Sequence, residues 1–304
     1  VWAPGSAADE RERFPFPVNR IRMRGKQDWL CRLRMAAALK KAFPEGGIAG
    51  TVVLTEPGPI RLWMYASLVG LPQAERLVVI LHGSEIAALS RNPWRRARLR
   101  DLMQRSDCIG CVSRPVRDQV LQLEPGISSR VVMVPGAVRS SWRDKMPVLR
   151  ENRSPLDVLH VGRIHPRKGQ LELVEAVGRL PQALRESVRV RLIGPVGRPR
   201  YLARIEERAM ALSINLKLEG RVPEAKLQKA YETAALLALP RQPYRNSIEG
   251  LGLSLLEAQH FGCPVIGTRL GGIPEAMLED ESGLLVPPQD VDALARGLAS
   301  LLQD

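Results

Sequence analysis

The sequence is poor in aromatic residues, and it contains no hydrophobic run long enough to cross a membrane. Phe, Trp and Tyr make up 4% of the 304 residues, whereas hydrophobic residues together make up 45%. Aliphatic side chains can fill a core, so this composition predicts a globular protein of one large or two ordinary domains. A membrane-spanning helix needs about 20 consecutive apolar residues, and no stretch approaches that length. The first residues also lack a signal-peptide pattern, so we expect a cytoplasmic protein.

Cysteine is scarce as well. The chain has four cysteines, of which Cys108 and Cys111 form a CxxC pair. No second pair and no histidine at ligand spacing accompany them, which argues against a zinc site or a redox centre. We therefore expect both thiols to be small apolar side chains in a strand, and we expect no bound metal ion and no cofactor.

Lysine is also scarce, but arginine is abundant, and the positive charge is unevenly distributed. Residues 1–152 hold 25 basic against 14 acidic residues, a net charge of +11, whereas residues 153–304 hold 20 against 18, a net charge of +2. The segments Trp29 to Phe43 and Pro93 to Met103 are typical of basic helices with apolar content. Such helices bind anionic lipid headgroups or are simply solvated surface helices. The basic residues lack interleaved aromatics, so we expect no nucleic-acid partner.

Both halves of the sequence alternate short apolar runs with longer helical patterns. This alternation predicts βαβ units and parallel sheets, and therefore an α/β fold with two Rossmann-like domains. Ligands of open parallel sheets bind beyond the carboxyl ends of the strands, so we expect the two domains to face each other across a cleft that holds the ligand. The predicted strands are Thr51–Leu54, Leu77–Leu81, Cys108–Val112, Val131–Val134, Asp157–Val161, Val188–Ile193, Leu216–Glu219, Ala235–Leu239 and Pro264–Thr268. Helices are predicted near residues 169–180, 199–212, 224–234, 254–262 and 290–302.

A polar segment from Ser140 to Pro155 separates the two halves and shows no hydrophobic period, which predicts an interdomain linker. We therefore predict a first domain over residues 1–150 and a second over residues 151–304. The chain opens on Val1-Trp-Ala-Pro without a glycine-rich strand-to-helix turn before it. We accordingly expect that one βα unit of about 30 residues or more is missing from the first domain.

A glycine-rich segment in the second half carries two carboxylates eight residues apart. It reads Glu249-Gly-Leu-Gly-Leu-Ser-Leu-Leu-Glu257 and runs into a predicted helix. Glycines let the backbone come close to a ligand, and a helix N-terminus offers unpaired N–H groups to an anion. A phosphorylated ligand with many hydroxyl groups suits this chemistry. Ser254 and Glu257 also fit a capping box, so Glu257 has a structural explanation as well.

A second motif supplies positive charge. The predicted strand that ends at Val161 is followed by Gly162-Arg163, and Lys168-Gly169 stands where the next helix begins. Two basic side chains in a strand-to-helix loop can form charge-assisted hydrogen bonds to the oxygens of an anionic ligand.

Together the two motifs resemble the donor site of the retaining, nucleotide-sugar-dependent glycosyltransferases of GT-B fold, known as glycosyltransferase family 4. The resemblance implies that Arg163 and Lys168, with Gly162 in the same loop, bind the diphosphate of the donor. It implies that Glu249 positions the donor sugar and stabilises its oxocarbenium character.

The resemblance also assigns the remainder of the donor site. Backbone N–H groups line the sugar and phosphate at Gly250, Leu251, Gly252 and Leu253. Glu257 binds the ribose hydroxyls in this reading, and the loop with Arg221 and Val222 contacts the nucleobase. The segment Gly271 to Glu275 also matches the family, but a proline at a helix start explains it structurally.

One histidine of the first half has a functional context. The strand Leu77–Leu81 runs into His82, and the resembled family places a histidine there, near the donor sugar and the acceptor. His160 lies inside a predicted strand and His260 inside a predicted helix, so we expect both to be packing residues.

Two positions depart from the family pattern. Arg241 follows Pro240 where a serine is common, and the loop Val134 to Val138 lacks the usual asparagine. We expect neither position to touch the proposed phosphate and sugar residues.

The resemblance implies a metal-independent, retaining glycosyltransferase of polysaccharide biosynthesis. It would move a sugar from a nucleotide sugar to a hydroxyl of a glycan, lipid-linked or small-molecule acceptor. The net charge of +11 in the first half adds the hypothesis of an anionic or lipid-linked acceptor and of peripheral attachment to the inner face of a membrane. Two alternatives stay open, a nucleotide-sugar 2-epimerase of the same fold and a pseudo-enzyme that only binds the nucleotide sugar.

Overall fold

The computed structural model describes residues 2–5, 19–22, 29–147, 155–245 and 248–303. Its contacts divide the chain into two compact units. The first comprises Val1–Leu81, Glu85–Cys111 and Arg117–Val134, and the second comprises His82–Ser84, Val112–Val116 and Pro135–Asp304. The predicted domain boundary at residue 150 stays a prediction.

The first unit is built on a parallel sheet of four strands. Along the chain these are β3, β4, β5 and β6, and they lie in the sheet in the same order. A separate parallel pair consists of β1 and β2. The strands are β1 (Trp2–Gly5), β2 (Asn19–Arg22), β3 (Gly47–Leu54), β4 (Gln73–Leu81), β5 (Cys108–Cys111) and β6 (Val131–Met133).

Helices connect the strands of this sheet, as parallel pairing requires. They are α2 (Pro57–Trp63), α3 (Ala66–Val69), α4 (Ser84–Leu89), α5 (Pro93–Arg105) and α6 (Arg114–Leu123), while α1 (Trp29–Ala42) precedes β3 in the chain. Two of them show why the sequence folds this way. Asn92 caps α5 by accepting a 2.8 Å hydrogen bond from the Arg95 N–H, and Pro93 occupies the first turn, where no N–H is needed. Gly70 ends α3 in the left-handed conformation, with φ of 58°.

The second unit is a larger, doubly wound parallel sheet of six strands. Its order is β12-β11-β10-β7-β8-β9, so the first strand of the unit in sequence lies in the interior of the sheet. The strands are β7 (Leu156–Val161), β8 (Val188–Ile193), β9 (Asn215–Gly220), β10 (Leu236–Leu239), β11 (Val265–Thr268) and β12 (Gly283–Val286). The helices are α7 (Gln170–Gly178), α8 (Gln182–Ser187), α9 (Pro199–Ala211), α10 (Glu224–Thr233), α11 (Leu253–His260) and α12 (Val291–Gln303).

Both faces of this sheet are buried, because successive side chains of a strand point to opposite faces. In β7, Val158 packs in one core cluster with residues of α7, α9 and α12. The next residue, Leu159, packs in the other cluster with residues of α10 and α11. Two-sided burial explains why the central strands β10 and β11 read as short apolar runs. In β8, by contrast, Arg189 and Arg191 alternate with apolar residues, and both arginines pair with Asp157. Two-sided burial also leaves only the strand ends free to form a site.

The predicted α/β class with two parallel-sheet domains is confirmed, and every strand predicted from the sequence is present. The prediction of helices at the two basic segments is also confirmed, by α1 and α5. The strand β12 was not predicted, because a run of four residues directly before Pro287 is too short to show a period.

The prediction of a linker from Ser140 to Pro155 is wrong at its start. Ser140–Trp142 forms a short 3₁₀ helix, and the Trp142 side chain is 1% exposed in the core of the second unit. Its ring packs edge-on against Phe261 at 5.2 Å between centroids and against Tyr231 at 6.0 Å. The large apolar area of one tryptophan outweighs the polarity of its neighbours in the sequence. Residues 148–154 of the predicted linker lie outside the described residues.

The CxxC pair lies in β5, as predicted. Cys111 is fully buried, and burial raises the pKa of its thiol to about 12, which keeps it protonated and unreactive. Among the residues that the structure describes, no group of three or more His, Cys, Asp or Glu side chains is arranged to hold a metal ion. Within the same part of the chain, no helix combines the length and the apolar character that crossing a bilayer requires.

Candidate functional site

The loop after β7 carries the basic motif. His165 opens a 3₁₀ turn, Pro166–Lys168, by accepting a 3.2 Å hydrogen bond from the Arg167 N–H at its Nδ1 atom. Gly169 then adopts φ of 75° and leads into α7. The sequence Pro166-Arg-Lys-Gly169 therefore folds as a tight turn that places Lys168 at the carboxyl end of β7, where parallel sheets bind their ligands.

Gly169 fixes this turn against the neighbouring strand. A Cβ atom added to Gly169 would lie 1.8 Å from the carbonyl oxygen of Pro240, directly after β10. Only glycine permits so close an approach of two backbones. The loops that follow β7 and β10 are therefore held side by side, and their side chains meet.

Lys168 and Glu249 form an ion pair in this region. The Lys168 ammonium lies 2.8 Å from Oε2 and 3.0 Å from Oε1 of Glu249. Their side chains are 13% and 15% exposed, so the pair is largely shielded from water but still accessible. Burial lowers the pKa of Lys168, and the nearby Glu249 only partly offsets that effect. The two residues that the sequence motifs singled out separately therefore lie in direct contact.

Arg241 is a third member of the cluster, and the expectation that it would not touch the proposed site residues is wrong. Its Nε atom lies 3.2 Å from Oε2 of Glu249, and its side chain is fully buried. Burial opposes ionisation of Glu249, but the charges of Lys168, Arg241 and Arg167 outweigh it, so the pKa of Glu249 is lowered. Glu249 is therefore ionised at neutral pH and held between two cations.

The surroundings of His165 show how positive this loop is. Burial, together with the charges of four arginines, lowers the pKa of His165 to about 4. These are Arg167, Arg198, Arg163 and Arg241. His165 also contacts Tyr244 edge-on, with 4.9 Å between ring centroids. His165 was not predicted as a site residue, although its position directly before Pro166 at the start of a basic turn marks it as a candidate cap.

His160 supports the loop from inside the sheet, as expected for a packing residue. It is fully buried in β7, and its Nε2 atom lies 3.1 Å from the carbonyl oxygen of Lys168. Burial lowers the pKa of His160 to about 4, so the ring is neutral at physiological pH. A neutral imidazole fixes the backbone of Lys168 without adding charge to the cluster.

Arg163 and Gly162 lie where the motif predicted them. The carbonyl oxygen of Arg163 accepts a 2.9 Å hydrogen bond from the buried Gln170 side chain, which fixes the loop, while the Arg163 side chain is exposed. Gly162 lies beside the aliphatic part of Lys168. A Cβ atom added to Gly162 would lie 3.8 Å from the Cδ and Cε atoms of Lys168. The structure thus gathers Gly162, Arg163 and Lys168 in one loop, in which the Arg163 side chain is exposed and Lys168 is largely shielded.

The glycine pair Gly271-Gly272 holds the Glu249 segment in place. A Cβ atom at Gly272 would lie 1.8 Å from the carbonyl oxygen of Gly250, and one at Gly271 would lie 2.6 Å from that of Glu249. The Gly272 N–H also donates a 3.0 Å hydrogen bond to the Glu249 carbonyl. Pro274 does open a short 3₁₀ helix as predicted, but the two glycines before it are required by this backbone packing.

The capping-box explanation of Glu257 is wrong. The helix α11 begins at Leu253 and its N-cap is Gly252, with φ of 80° and no side-chain cap, so Ser254 lies inside the helix. The Glu257 carboxylate instead accepts a 2.7 Å hydrogen bond from the Tyr231 hydroxyl and lies 3.3 Å from Nε of Arg139. Glu257 is therefore held by its tertiary partners, which leaves a binding role open to it.

The other predicted donor residues differ in what they offer a ligand. Leu251 is buried in the core, so only its backbone can contact a ligand, whereas the Leu253 side chain is 45% exposed. Gly136 lies directly against Leu253, because a Cβ atom added to Gly136 would lie 2.4 Å from the Leu253 side chain. The expectation that the loop Val134 to Val138 does not touch the proposed site residues is therefore also wrong. Arg221 is exposed between β9 and α10, and Val222 packs against the core of the second unit.

His82 follows β4 directly, and the contacts group it with the second unit. Its side chain is exposed. Its carbonyl oxygen would lie 2.4 Å from a Cβ atom added to Gly250. The predicted histidine thus lies beside the glycine segment that carries Glu249.

Residues 143–304, slightly more than half of the chain, match the family described as Glycosyl transferases group 1. The chain belongs to this family. The match includes the turn with Lys168, the buried Arg241 and the Glu249 segment, so the whole cation and carboxylate cluster lies within the family region.

Two relatives indicate the range of activities among similar proteins. A GDP-mannose-dependent alpha-(1-6)-phosphatidylinositol monomannoside mannosyltransferase from Mycolicibacterium smegmatis is 29% identical over 245 residues, which cover 76% of this chain and 62% of that protein. A D-inositol 3-phosphate glycosyltransferase from Corynebacterium efficiens is 32% identical over 200 residues, which cover 62% of this chain and 43% of that protein. The chain therefore spans less than two thirds of the length of these relatives.

Solved structures confirm the fold class. HepE from Anabaena in complex with UDP and glucose has a TM-score of 0.74 at 17% identity, with 95% of this chain and 77% of that chain covered. Sucrose-phosphate synthase from Thermosynechococcus elongatus has a TM-score of 0.72 at 22% identity, with 90% of this chain and 69% of that chain covered. The expected GT-B fold, with its two parallel-sheet domains, is therefore confirmed.

Proposed function

We propose that this chain is a glycosyltransferase that moves a sugar from a nucleoside diphosphate sugar to a hydroxyl acceptor. The observation that carries the proposal is the cluster of Lys168, Arg241 and Glu249 at the carboxyl ends of the neighbouring strands β7 and β10. Cations beside a carboxylate at that edge suit a ligand with a diphosphate on one side and sugar hydroxyls on the other. The GDP-mannose-dependent relative and a structural neighbour solved with UDP-glucose support this donor class.

The proposed reaction proceeds with retention and without a metal ion. The bond from the anomeric carbon to the diphosphate breaks, and its electron pair leaves with the diphosphate, whose charge Arg163 and Lys168 stabilise. The acceptor oxygen forms the new bond on the same face of the sugar, and its proton passes to a departing phosphate oxygen. Glu249 accepts hydrogen bonds from sugar hydroxyls and stabilises positive charge at the anomeric carbon.

The remaining site residues take supporting roles in this proposal. Backbone N–H groups from Gly250 to Leu253, at the start of α11, line the sugar and phosphate. Glu257 binds the ribose hydroxyls, and the loop with Arg221 and Val222 contacts the nucleobase. His82 lies next to Gly250 and contacts the donor sugar and the acceptor. The nucleotide sugar is a substrate in this proposal, and no separate cofactor takes part.

A donor panel tests the proposal. The protein is incubated with UDP-, GDP- and ADP-sugars, with and without hydroxyl acceptors, while released nucleoside diphosphate and sugar identity are followed. We expect release that depends on the acceptor, and we expect Lys168→Ala to lower kcat by about 100- to 1000-fold. Lys229→Ala is the matched control, since Lys229 is 66% exposed and pairs only with Glu232 among the ion pairs of the described residues.

The same panel separates the rival activities. Conversion of the donor sugar to its epimer without an acceptor would replace the proposal by a 2-epimerase. Tight nucleotide-sugar binding without any release would replace it by a binding protein. Normal turnover in Lys168→Ala would remove the assignment of the diphosphate to this loop.

For the acceptor, we propose an anionic or lipid-linked molecule at the cytoplasmic face of a membrane. The net charge of +11 in residues 1–152 supports this, and so does the exposed start of α5. There Trp94 is 56% exposed, stacks on Tyr65 at 5.2 Å and is followed by the exposed Arg95 and Arg96. Aromatic and basic side chains together suit the headgroup region of an anionic bilayer. The relative that acts on a phosphatidylinositol monomannoside points to the same acceptor class.

Vesicle binding tests the acceptor proposal. We expect co-sedimentation with phosphatidylinositol vesicles, little binding to phosphatidylcholine vesicles, and loss of binding at high salt. Arg95→Gln with Arg96→Gln should weaken binding, whereas Arg200→Gln with Lys217→Gln, which removes as much charge from exposed positions of the second half, should not. Absence of both vesicle binding and salt-dependent activity would refute the proposal.

A further inference from the structure

Arg241 adds a cation to the site that the matched motifs do not require. It stands where the resembled pattern commonly has serine, and a serine hydroxyl supplies a hydrogen bond but no charge. Its guanidinium is fully buried and lies 3.2 Å from Oε2 of Glu249. A charged side chain is kept in such a position only when its partners compensate for the loss of water.

The position of Arg241 is fixed from several sides. Its Nη1 atom donates a 3.1 Å hydrogen bond to the Arg167 carbonyl. Its own carbonyl accepts a 2.8 Å hydrogen bond from the Thr268 hydroxyl, at the end of β11. The next N–H, of Gln242, donates to the same Arg167 carbonyl at 3.2 Å. One hydrogen bond thus holds the buried guanidinium, and the two others hold the adjacent backbone, with Nε of Arg241 facing Glu249.

Lys168 differs from Arg241 in side-chain chemistry and in exposure. Its ammonium group sits on a flexible stem with three rotatable donors, and it is 13% exposed beside the open loop of Arg163. An incoming diphosphate carries more negative charge than one carboxylate. Its oxygens would therefore compete with the two Glu249 oxygens for the Lys168 ammonium. On binding, Lys168 would turn to the diphosphate, and Glu249 would lose one of its two adjacent cations.

We propose that Arg241 is a positioning residue, which keeps Glu249 ionised and correctly oriented while Lys168 transfers its contacts from Glu249 to the diphosphate of the donor. This inference rests on the proposed function, because it assigns a diphosphate to the Lys168 loop. The groups that act on Glu249 are Lys168 and Arg167 from the turn after β7, Arg241 after β10, and the neutral His160 of β7.

The direct test is the titration of Glu249, read by NMR of protein labelled with ¹³C at the glutamate carboxyl. The spectrum of Glu249→Gln assigns the resonance. Arg241→Met should raise the pKa of Glu249 by about one to three pH units, as expected for the loss of an adjacent opposite charge. In Arg241→Lys the pKa of Glu249 should lie between its values in the unchanged protein and in Arg241→Met. Arg208→Met is the matched control, because Arg208 also pairs with a glutamate, Glu175, at 2.5 and 2.9 Å.

The same titration in saturating inorganic pyrophosphate tests the transfer of Lys168. The difference in Glu249 pKa between Arg241→Met and the unchanged protein should grow when pyrophosphate is bound, because Arg241 is then the main remaining counterion. No difference in either state, or a difference that does not grow, would overturn the inference. If Arg241→Met does not fold, Arg241→Lys compared with Arg241→Gln supplies the same contrast between charged and neutral side chains.

Kinetics provide a second readout. Arg241→Met should lower kcat more than it raises the KM of the donor, and the acidic limb of kcat/KM should move to higher pH by the same amount as the NMR titration. A merely structural role would lower stability without moving that limb. If no donor supports transfer in the unchanged protein, the proposed function fails, while the titration in pyrophosphate still decides the role of Arg241.

Discussion

A single methyl group at Gly272 tests whether the glycine pair positions Glu249. The Cβ atom of Gly272→Ala would lie 1.8 Å from the carbonyl oxygen of Gly250. Gly272 has φ of −83°, which alanine adopts without strain, so the substitution changes only the available space. The obstacle is backbone, which has no rotamer to change.

The distance sets the size of the effect. Carbon and oxygen atoms in a relaxed contact of this kind lie about 3.3 Å apart, so one of the two backbones must move by about 1.5 Å. Since Glu249 directly precedes Gly250, its carboxylate moves relative to Lys168 and Arg241. A misplacement of about 1 Å in a catalytic site can cost about 100-fold in rate, and overpacking typically costs about 1 to 3 kcal/mol of stability. We expect losses of that order in kcat/KM and in the free energy of unfolding.

The assay combines donor turnover with urea denaturation of the same preparations. Gly47→Ala is the matched control, because a Cβ atom there meets nothing within 4 Å. It should leave both quantities unchanged. Unaltered kcat/KM in Gly272→Ala, whether or not the stability falls, would show that the glycine pair does not position Glu249 and would refute the reasoning.

Three further predictions follow from other contacts. Trp142→Ala should lower the free energy of unfolding by about 3 to 5 kcal/mol in urea, because it removes a fully buried aromatic side chain. Glu257→Gln should raise the donor KM by about tenfold or more with little change in kcat, because a hydrogen bond to a charged group is lost in the ground state and the transition state alike. The pKa of His165 is about 4 in the folded chain and near 6.5 when unfolded, so the unfolded chain binds an additional proton between these values. Urea denaturation at pH 7 and pH 4.5 should therefore show a smaller loss of stability on acidification in His165→Gln than in the unchanged protein.

The sequence predicted the architecture of this chain better than the interior of its site. The strands were recognisable because burial produces short apolar runs, as in β10 and β11, or apolar residues alternating with charged ones, as in β8. Arg163, Lys168 and Glu249 were found because their glycine neighbours form motifs. Their pairing was not predictable from spacing alone, since Lys168 and Glu249 meet only after β10 returns beside β7.

Arg241 and His165 were missed for different reasons. Arg241 was treated as a departure from a pattern, although a residue directly after a central strand lies at the carboxyl edge of the sheet. Knowing that β10 pairs with β7 would have placed it beside Lys168. His165 carries no motif of its own, and its low pKa results from arginines that converge only in the folded chain. Knowledge of the strand order would therefore have predicted more of the site residues than a longer sequence motif would.

The strand order also affects how this site assembles during synthesis. The strands β7, β8, β9 and β10 are complete by residue 239, and Lys168, Arg167 and Arg241 leave the ribosome before Glu249 does. Chains begin to fold from their N-terminal parts as they are made, so these cations can gather before their carboxylate is present. In the folded chain the Glu249 carboxylate lies between Lys168 and Arg241 and offsets their mutual repulsion. The glutamate is thus a counterion on which the loops after β7 and β10 depend, as well as a candidate contact for the sugar.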